Sequence, residues 1–213
     1  MKKKNRYLAI CGGFLLLICS SAVYAITISV VPANQTVTVG APAFVDLVIS
    51  GLGNTGAPSV STFDVNVIFD DSVLAIDTSD TDGNGVIDSV VLDPSGQLDV
   101  LGLGGNFVSA TVVAPGILNL FDLSLDDAID LDTLQEESFT LATISFGAIG
   151  VGTSPLGITI NSLGDANGNP LMAATNGGTV TVSQTTTVSE PSILLLLSAG
   201  LASFAASGRR RPA

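Results

Sequence analysis

Apolar and polar residues alternate along much of this chain with a period of two. Phe63, Val65, Val67 and Phe69 are interleaved with Asp64, Asn66 and Ile68, and Val45, Leu47 and Ile49 with Asp46, Val48 and Ser50. Successive side chains of a strand point to opposite faces, so each segment predicts a strand with one buried face. Similar runs rich in Val, Ile, Thr and Phe recur between clusters of Gly, Asn, Asp, Ser and Pro. They predict strands over 26–31, 35–39, 43–50, 61–69, 86–92, 106–113, 117–124, 139–149, 156–161 and 178–183. Asn84-Gly85, Asn167-Gly168 and Asn176-Gly177 offer positive-φ residues for tight turns. No segment sustains a helical period, and only a turn or two of helix is expected near Asp130 to Glu137. So many short strands predict an all-β chain built as a β-sandwich. Phe44, Phe63, Phe69, Phe107, Phe121, Phe139 and Phe146 fall on these strands, where core packing is the expected role.

The two ends break the pattern. Lys2, Lys3, Lys4 and Arg6 precede an apolar run from Leu8 to Ile18, and Val23-Tyr24-Ala25 closes it with small-x-small spacing. Residues 1–25 are therefore expected to be a signal peptide, cut by signal peptidase before Ile26. Cys19 would suit lipid attachment, but Ile18 stands where a lipobox has a small residue. At the other end, Ser189-Glu190-Pro191-Ser192 leads into an apolar run from Ile193, followed by Arg209, Arg210 and Arg211. A transmembrane helix is expected over 193–208, with the arginines as a membrane stop and 184–188 as a linker. The positive-inside rule places both basic ends in the cytoplasm and the sandwich, 26–183, outside the inner membrane.

Charge sharpens the picture. The chain has nineteen Asp and Glu, seven Lys and Arg and no His. All seven basic residues, both Cys and both Tyr lie in the two end segments, and Trp is absent. The middle of the chain thus lacks any basic side chain, thiol, imidazole, phenol or indole. Without His or Lys no serine nucleophile can be activated, and zinc loses its usual ligands. Nucleic acid is excluded because the field has the wrong sign. Paired carboxylates could hydrolyse a glycoside, but a sugar cleft without Trp, Tyr, His or Arg would be anomalous. The expectation is a protein that is not an enzyme. With no Cys to staple it, an apolar core must hold the domain.

Carboxylates concentrate in two loops. Asp80, Asp82, Asn84 and Asp88 fit the D-x-[DN]-x-[DN]-G half of a calcium loop, with Asp88 in the ninth place. Val91 stands where a bidentate Glu would complete an EF-hand. A polar turn that uses Asp and Gly for conformation fits the same residues, so calcium and turn remain two readings. Asp126, Asp127, Asp130, Asp132, Glu136 and Glu137 form a denser acidic stretch, expected to be a solvated loop. Gly102 to Asn106 is expected to be a flexible turn, since it lacks the Lys and Ser/Thr of a phosphate loop.

Ser189-Glu190-Pro191, the apolar run and the arginine cluster resemble the PEP-CTERM sorting signal of Gram-negative bacteria, in which a Pro-Glu-Pro motif precedes the helix; Ser189 stands in place of the first proline. The resemblance implies processing by an exosortase-type membrane protease, passage through the inner membrane to the cell surface or extracellular matrix, and association with exopolysaccharide or biofilm. Thr36-Val37-Thr38-Val39-Gly40, Val45 to Ser50, Phe63 to Leu74, Leu141 to Phe146 and Asp165 to Pro170 resemble, in order, segments of a cohesin domain. That likeness spans roughly 28–183 and implies a jelly-roll β-sandwich related in fold to carbohydrate-binding modules. Cellulosomal cohesins bind dockerin modules on a sheet face, and no residue pattern here marks such a face. Together the resemblances imply an exported binding or structural module whose partner is exopolysaccharide or another surface protein. The alternative is a carbohydrate-binding module assisted by calcium, against which the lack of Trp and Tyr argues.

The intact mass of the exported protein tests both ends at once. It should begin at Ile26 and lack everything beyond the Glu190-Pro191 region; a mass that retains Arg211 would reduce the tail to a simple membrane span.

Overall fold

A computed structural model describes residues 25–184. Val23, the Ser189-Glu190-Pro191-Ser192 motif, Arg209, Arg210, Arg211 and the helix expected over 193–208 lie outside the described residues. Among the described residues no helix is long and apolar enough to cross a membrane.

Twelve strands and one helix follow in the order β1 (Ile26–Val31), β2 (Asn34–Thr38), β3 (Pro42–Ser50), β4 (Val60–Ile68), β5 (Leu74–Ile76), β6 (Val90–Leu92), β7 (Phe107–Ala114), β8 (Ile117–Leu123), α1 (Ala128–Leu134), β9 (Ser138–Ala148), β10 (Gly152–Asp165), β11 (Ala173–Asn176) and β12 (Gly178–Ser183). They form two six-stranded sheets. Sheet I runs β11-β1-β3-β9-β5, with β6 also on the β9 edge, and sheet II runs β2-β12-β10-β4-β8-β7. The first extended stretch serves both sheets. Its β1 half pairs with β3 and its β2 half pairs with β12. The break falls at Pro32-Ala33, where proline has no N–H to give a ladder.

The alternation read in the sequence is what closes the sandwich. Val45, Leu47 and Ile49 of sheet I and Phe63, Val65 and Val67 of sheet II are all buried in one cluster. Phe69, just beyond β4, meets Phe146 of β9 with ring centroids 5.1 Å apart and planes tilted by 58°, an arrangement that favours aromatic pairs. Each such side chain contributes about 1.5–3 kcal/mol by leaving water, and this burial replaces the absent disulfides.

The acidic loop joins the sheets along one side. Ala110 of β7 receives the Ile87 N–H at 3.2 Å and donates its own N–H to the Gly85 carbonyl at 3.0 Å. Val86 forms the corresponding parallel bridge. Two residues on, β6 pairs with β9 in the other sheet. The strand expected over 86–92 is therefore only Val90–Leu92, because its first half is spent on β7.

Three further expectations are corrected. Strands β5 and β11 were not marked by the pattern: the first has three residues, and Ala173–Asn176 lacks apolar alternation. Gly85 and Gly168 do take positive φ, but Gly177 does not. It is there for space, since a Cβ would come within 2.4 Å of the Leu156 carbonyl oxygen. Finally, Phe44 and Phe107 are exposed rather than buried, at 55% and 61%, while Phe63, Phe69, Phe139 and Phe146 are in the core. The expected helix is present as α1, starting two residues early.

Gly177→Ala and Gly168→Ala separate the two glycine roles. The backbone around Gly168 leaves open space for a methyl, so its substitution should cost only the positive-φ strain of about 1–2 kcal/mol. Urea unfolding should show Gly177→Ala to be the more damaging change.

Candidate functional site

The outward face of sheet II carries an organised set of polar side chains. Because Phe63, Val65 and Val67 turn inward, Asp64 and Asn66 of β4 must turn outward. The register sets Asn66 beside Asn119 of β8, and Asp64 beside Phe121. Strand β10 bulges between Ile160 and Ser162, which brings Asn161 over the same rows.

Asn119 is the hub. Its Nδ2 donates to Asp64 Oδ1 at 2.7 Å and to Asn66 Oδ1 at 2.9 Å. Asn161 Nδ2 donates to the same Asp64 oxygen at 2.9 Å, and Asn66 Nδ2 donates to Asn161 Oδ1 at 3.3 Å. The Asp64 carboxylate is thus held by two neutral amides, with its second oxygen free to accept from a partner. Apolar residues flank the set: the Ile68–Ile117 pair on one side, and Phe121 and the Leu123–Phe107 pair on the other. Fixed hydrogen-bonding groups thus lie between apolar margins on one sheet face. Sequence alternation placed Asp64 and Asn66 on one face, but Asn119 and Asn161 join them only through register and a bulge.

Sheet I presents a different feature. An open trough of about 720 Å³ runs beside the exposed Phe44, with Ile76, Asp77, Asp88 and Ser89 along it.

The predicted calcium residues form a self-satisfied turn. Asp80 Oδ1 accepts the Gly83 and Asn84 N–H groups at 2.8 and 3.2 Å, and Oδ2 accepts the Gly85 N–H at 3.0 Å. Asp82 Oδ1 accepts the Asn84 N–H, and Asn84 Oδ1 accepts the Val86 N–H. Asp88 lies across the loop and accepts from Thr81. The Gly85 amide holds the Asp80 carboxyl below its usual range. The structure thus brings Asp80, Asp82 and Asn84 together with Asp88 at the mouth, while among the described residues no three His, Cys, Asp or Glu side chains converge as a metal cage.

Other carboxylates repeat this device. Asp70 is lowered by the Ser72 hydroxyl and N–H, and Asp77 by those of Ser79. Desolvation opposes the shift at Asp165, but the Asn169 side chain and the Asn169, Asn167 and Gly168 amides outweigh it. In the acidic stretch, Asp132 accepts from the Ser59 hydroxyl at 2.6 Å, and Gln135 clamps the backbone of Val60 through both its amide atoms. That stretch is therefore partly a docked helix rather than a wholly solvated loop.

Asp122 is the exception. It alternates inward from β8, is 1% exposed, and accepts from Asn106 Nδ2 at 3.2 Å. Burial, followed by the charges of Asp93 and Asp99, pushes its carboxyl up to about 7.

No protein-family profile matches the chain, and no curated protein matches it. Solved structures do. The cohesin of a type I cohesin–dockerin complex from Clostridium thermocellum aligns at 13% identity over 75% of this chain and 99% of its own, with a TM-score of 0.55. A non-cellulosomal cohesin from the archaeon Archaeoglobus fulgidus aligns at 16% identity over 75% and 92%, with a TM-score of 0.51. A cohesin module of a family 33 glycoside hydrolase from Clostridium perfringens aligns at 16% identity over 76% and 98%, also with 0.51. The described domain has a cohesin-like β-sandwich fold.

Stability should peak at mildly acidic pH. A raised folded-state value means that Asp122 contributes stability fully below its ordinary range near 3.8, lost as pH rises through about 7. Asp70, Asp77 and Asp80 act in the opposite sense: their contribution is present above the ordinary range and lost as pH falls through their lowered values. Thermal unfolding followed by circular dichroism should show both limbs, and Asp122→Asn should reduce only the alkaline one, leaving the share of Asp93, whose carboxyl burial also pushes up.

Proposed function

We propose that this is an exported, noncatalytic binding module that captures another protein on the outer face of β10-β4-β8-β7. The observation that carries the reading is the Asp64–Asn66–Asn119–Asn161 set, fixed before any partner arrives and bordered by apolar side chains. Preorganised groups spend little conformational entropy on binding. The Clostridium thermocellum relative in fold is itself seen in complex with a dockerin, which makes capture of a protein module the natural use of such a surface. Asp64 is the one charged residue among these four, so the fitting partner brings a hydrogen-bond donor or a cation to it and an apolar surface to Phe121 and Ile68.

In this reading residues 1–25 direct export, 26–183 form the binding domain, 184–188 are a linker, and 189–213 sort the protein. Glu190 and Pro191 supply the processing motif of an exosortase-type system, and the destination is the cell surface or an exopolysaccharide matrix. The module then links matrix or surface components and performs no chemistry.

Phe44 and its trough favour a second reading, a carbohydrate-binding module. An exposed ring at 55% beside two carboxylates could stack a sugar while Asp77 and Asp88 accept its hydroxyls, directly or through calcium.

Immobilised full-length protein, challenged separately with the protein and polysaccharide fractions of the host's matrix, distinguishes the two. Capture of a protein should weaken by about tenfold or more in Asp64→Ala with Asn119→Ala and survive Phe44→Ala. Retention of polysaccharide, dependent on Phe44 and enhanced by calcium, would favour the second reading instead.

A further inference from the structure

The connection between β6 and β7, residues 93–106, crosses from one sheet to the other and covers one end of the sandwich. Its first part is anchored well. Leu98 is fully buried, the Gln97 carbonyl accepts from Gln135 Nε2 at 2.8 Å, and the Gln97 side chain accepts the Glu136 N–H at 2.7 Å. The remainder, 99–106, is held differently. Gly102, Gly104 and Gly105 take positive φ, and Leu103 is 78% exposed. The Leu103 and Gly104 N–H groups bond to Asp99 within the same segment, both at 2.9 Å. The side-chain tie from this segment to a sheet is Asn106, whose Nδ2 donates to Asp122 Oδ1 and to the Leu98 carbonyl.

Against the segment lies a cavity of about 320 Å³, open to solvent on one side and lined by Asp93, Asp99, Asp122, Asn106 and the segment's own Gly104 and Gly105 among others. Burial pushes the Asp93 carboxyl up as well, although it accepts the Leu98 and Gln97 N–H groups, both at 2.7 Å, so Asp93 and Asp122 are two desolvated acids that disfavour each other's ionisation. Asp93 and Asp99 are the charged groups that act on Asp122. In register, β4 sets Phe63 and β7 sets Val108 beside it, and neither titrates. From α1, Asp132 is engaged by Ser59. The described residues contain no Lys, Arg or His to compensate.

Protonated, Asp122 is a buried neutral group with a hydrogen bond, which the interior tolerates. Ionised, it is a desolvated charge facing two others, and one neutral donor does not offset that. Water must then reach it. The segment with the fewest ties is the glycine-rich one against the cavity.

We propose that residues 99–106 form a proton-dependent latch, lying against the sandwich while Asp122 is protonated and lifting when it ionises, because the desolvation of the buried carboxylate outweighs the Asn106 hydrogen bond that ionisation strengthens. The anchored Gln97 and Leu98 form the hinge on one side and β7 the hinge on the other. Since Phe107 follows Asn106 directly, lifting also loosens that corner of sheet II. The latch itself does not depend on what the sheet binds.

Hydrogen exchange by mass spectrometry on the full-length chain, corrected for intrinsic exchange, reads the latch at about pH 5.5 and about pH 8.5. Protection of peptides over 99–106 should fall by about tenfold at the higher pH, while peptides over 43–50 keep theirs. In Asp122→Asn, which preserves an acceptor for Asn106 without the charge, 99–106 should stay protected at both values. Unchanged protection in the parent chain, or equal loss in Asp122→Asn, would overturn the proposal. Should that variant fail to fold, carbon-13 NMR of the parent supplies the answer. The Asp122 carboxyl and the Leu103 and Gly104 amides should titrate with one midpoint near neutrality; loop amides that do not follow Asp122 would overturn it.

Discussion

Every carboxylate of this domain has to be satisfied without a basic side chain of its own. All seven Lys and Arg lie in the end segments, so no salt bridge can form within 26–183. An isolated carboxylate removed from water costs several kcal/mol, and the domain answers with neutral donors. Asp70, Asp77, Asp80, Asp93, Asp99 and Asp165 each fold their own loop around themselves by accepting its N–H groups. Asp46 takes the hydroxyl of Thr143 and Asp132 that of Ser59. Loop geometry and charge solvation are thus one device here, used at the β4–β5, β6–β7 and β10–β11 connections between the sheets and in the β5–β6 loop.

Asp64 and Asp122 stand furthest from that device. On sheet II, Asp64 is held by side-chain amides from two other strands, β8 and β10, rather than by its own loop, which leaves a carboxylate oxygen and a set of amides displayed on the outer face. At Asp122 the same shortage of donors is met inside the sandwich, where one asparagine is left to serve a buried acid. In the proposals made above, the first arrangement serves recognition and the second a response to pH. The calcium-like loop uses the same device, its carboxylates accepting its own N–H groups, and it also bridges β7 to the strands of the other sheet.

Much of the fold was legible from alternation alone, because strands with one buried face must alternate. Phe63, Val65 and Val67 against Asp64 and Asn66 gave the central strand of sheet II and its exposed side. Resemblance to cohesins implied a jelly-roll sandwich over roughly 28–183 and agrees with the solved structures of similar fold. What local pattern could not give was anything set by register or crowding. Asn119 and Asn161 meet Asp64 from strands far away in sequence, and Gly177 is required by the Leu156 carbonyl rather than by its own φ. Exposed Phe44 and Phe107 lie on the outward phase of their strands, where β-propensity had suggested burial. Asp122 was missed for a related reason: it occupies an inward position in a strand whose other inward residues are Leu118 and Leu120, and its partners come from a loop.

Whether sheet II is the working surface can be read directly by placing a photo-reactive phenylalanine analogue at position 121 and, separately, at position 44 in the exported protein. Illumination of living cells, followed by mass spectrometry of the adducts, reports what each face touches. A discrete protein adduct from position 121 and none from position 44 is the result expected. Adducts confined to position 44, or glycan adducts there with none from 121, would contradict the assignment of the binding face.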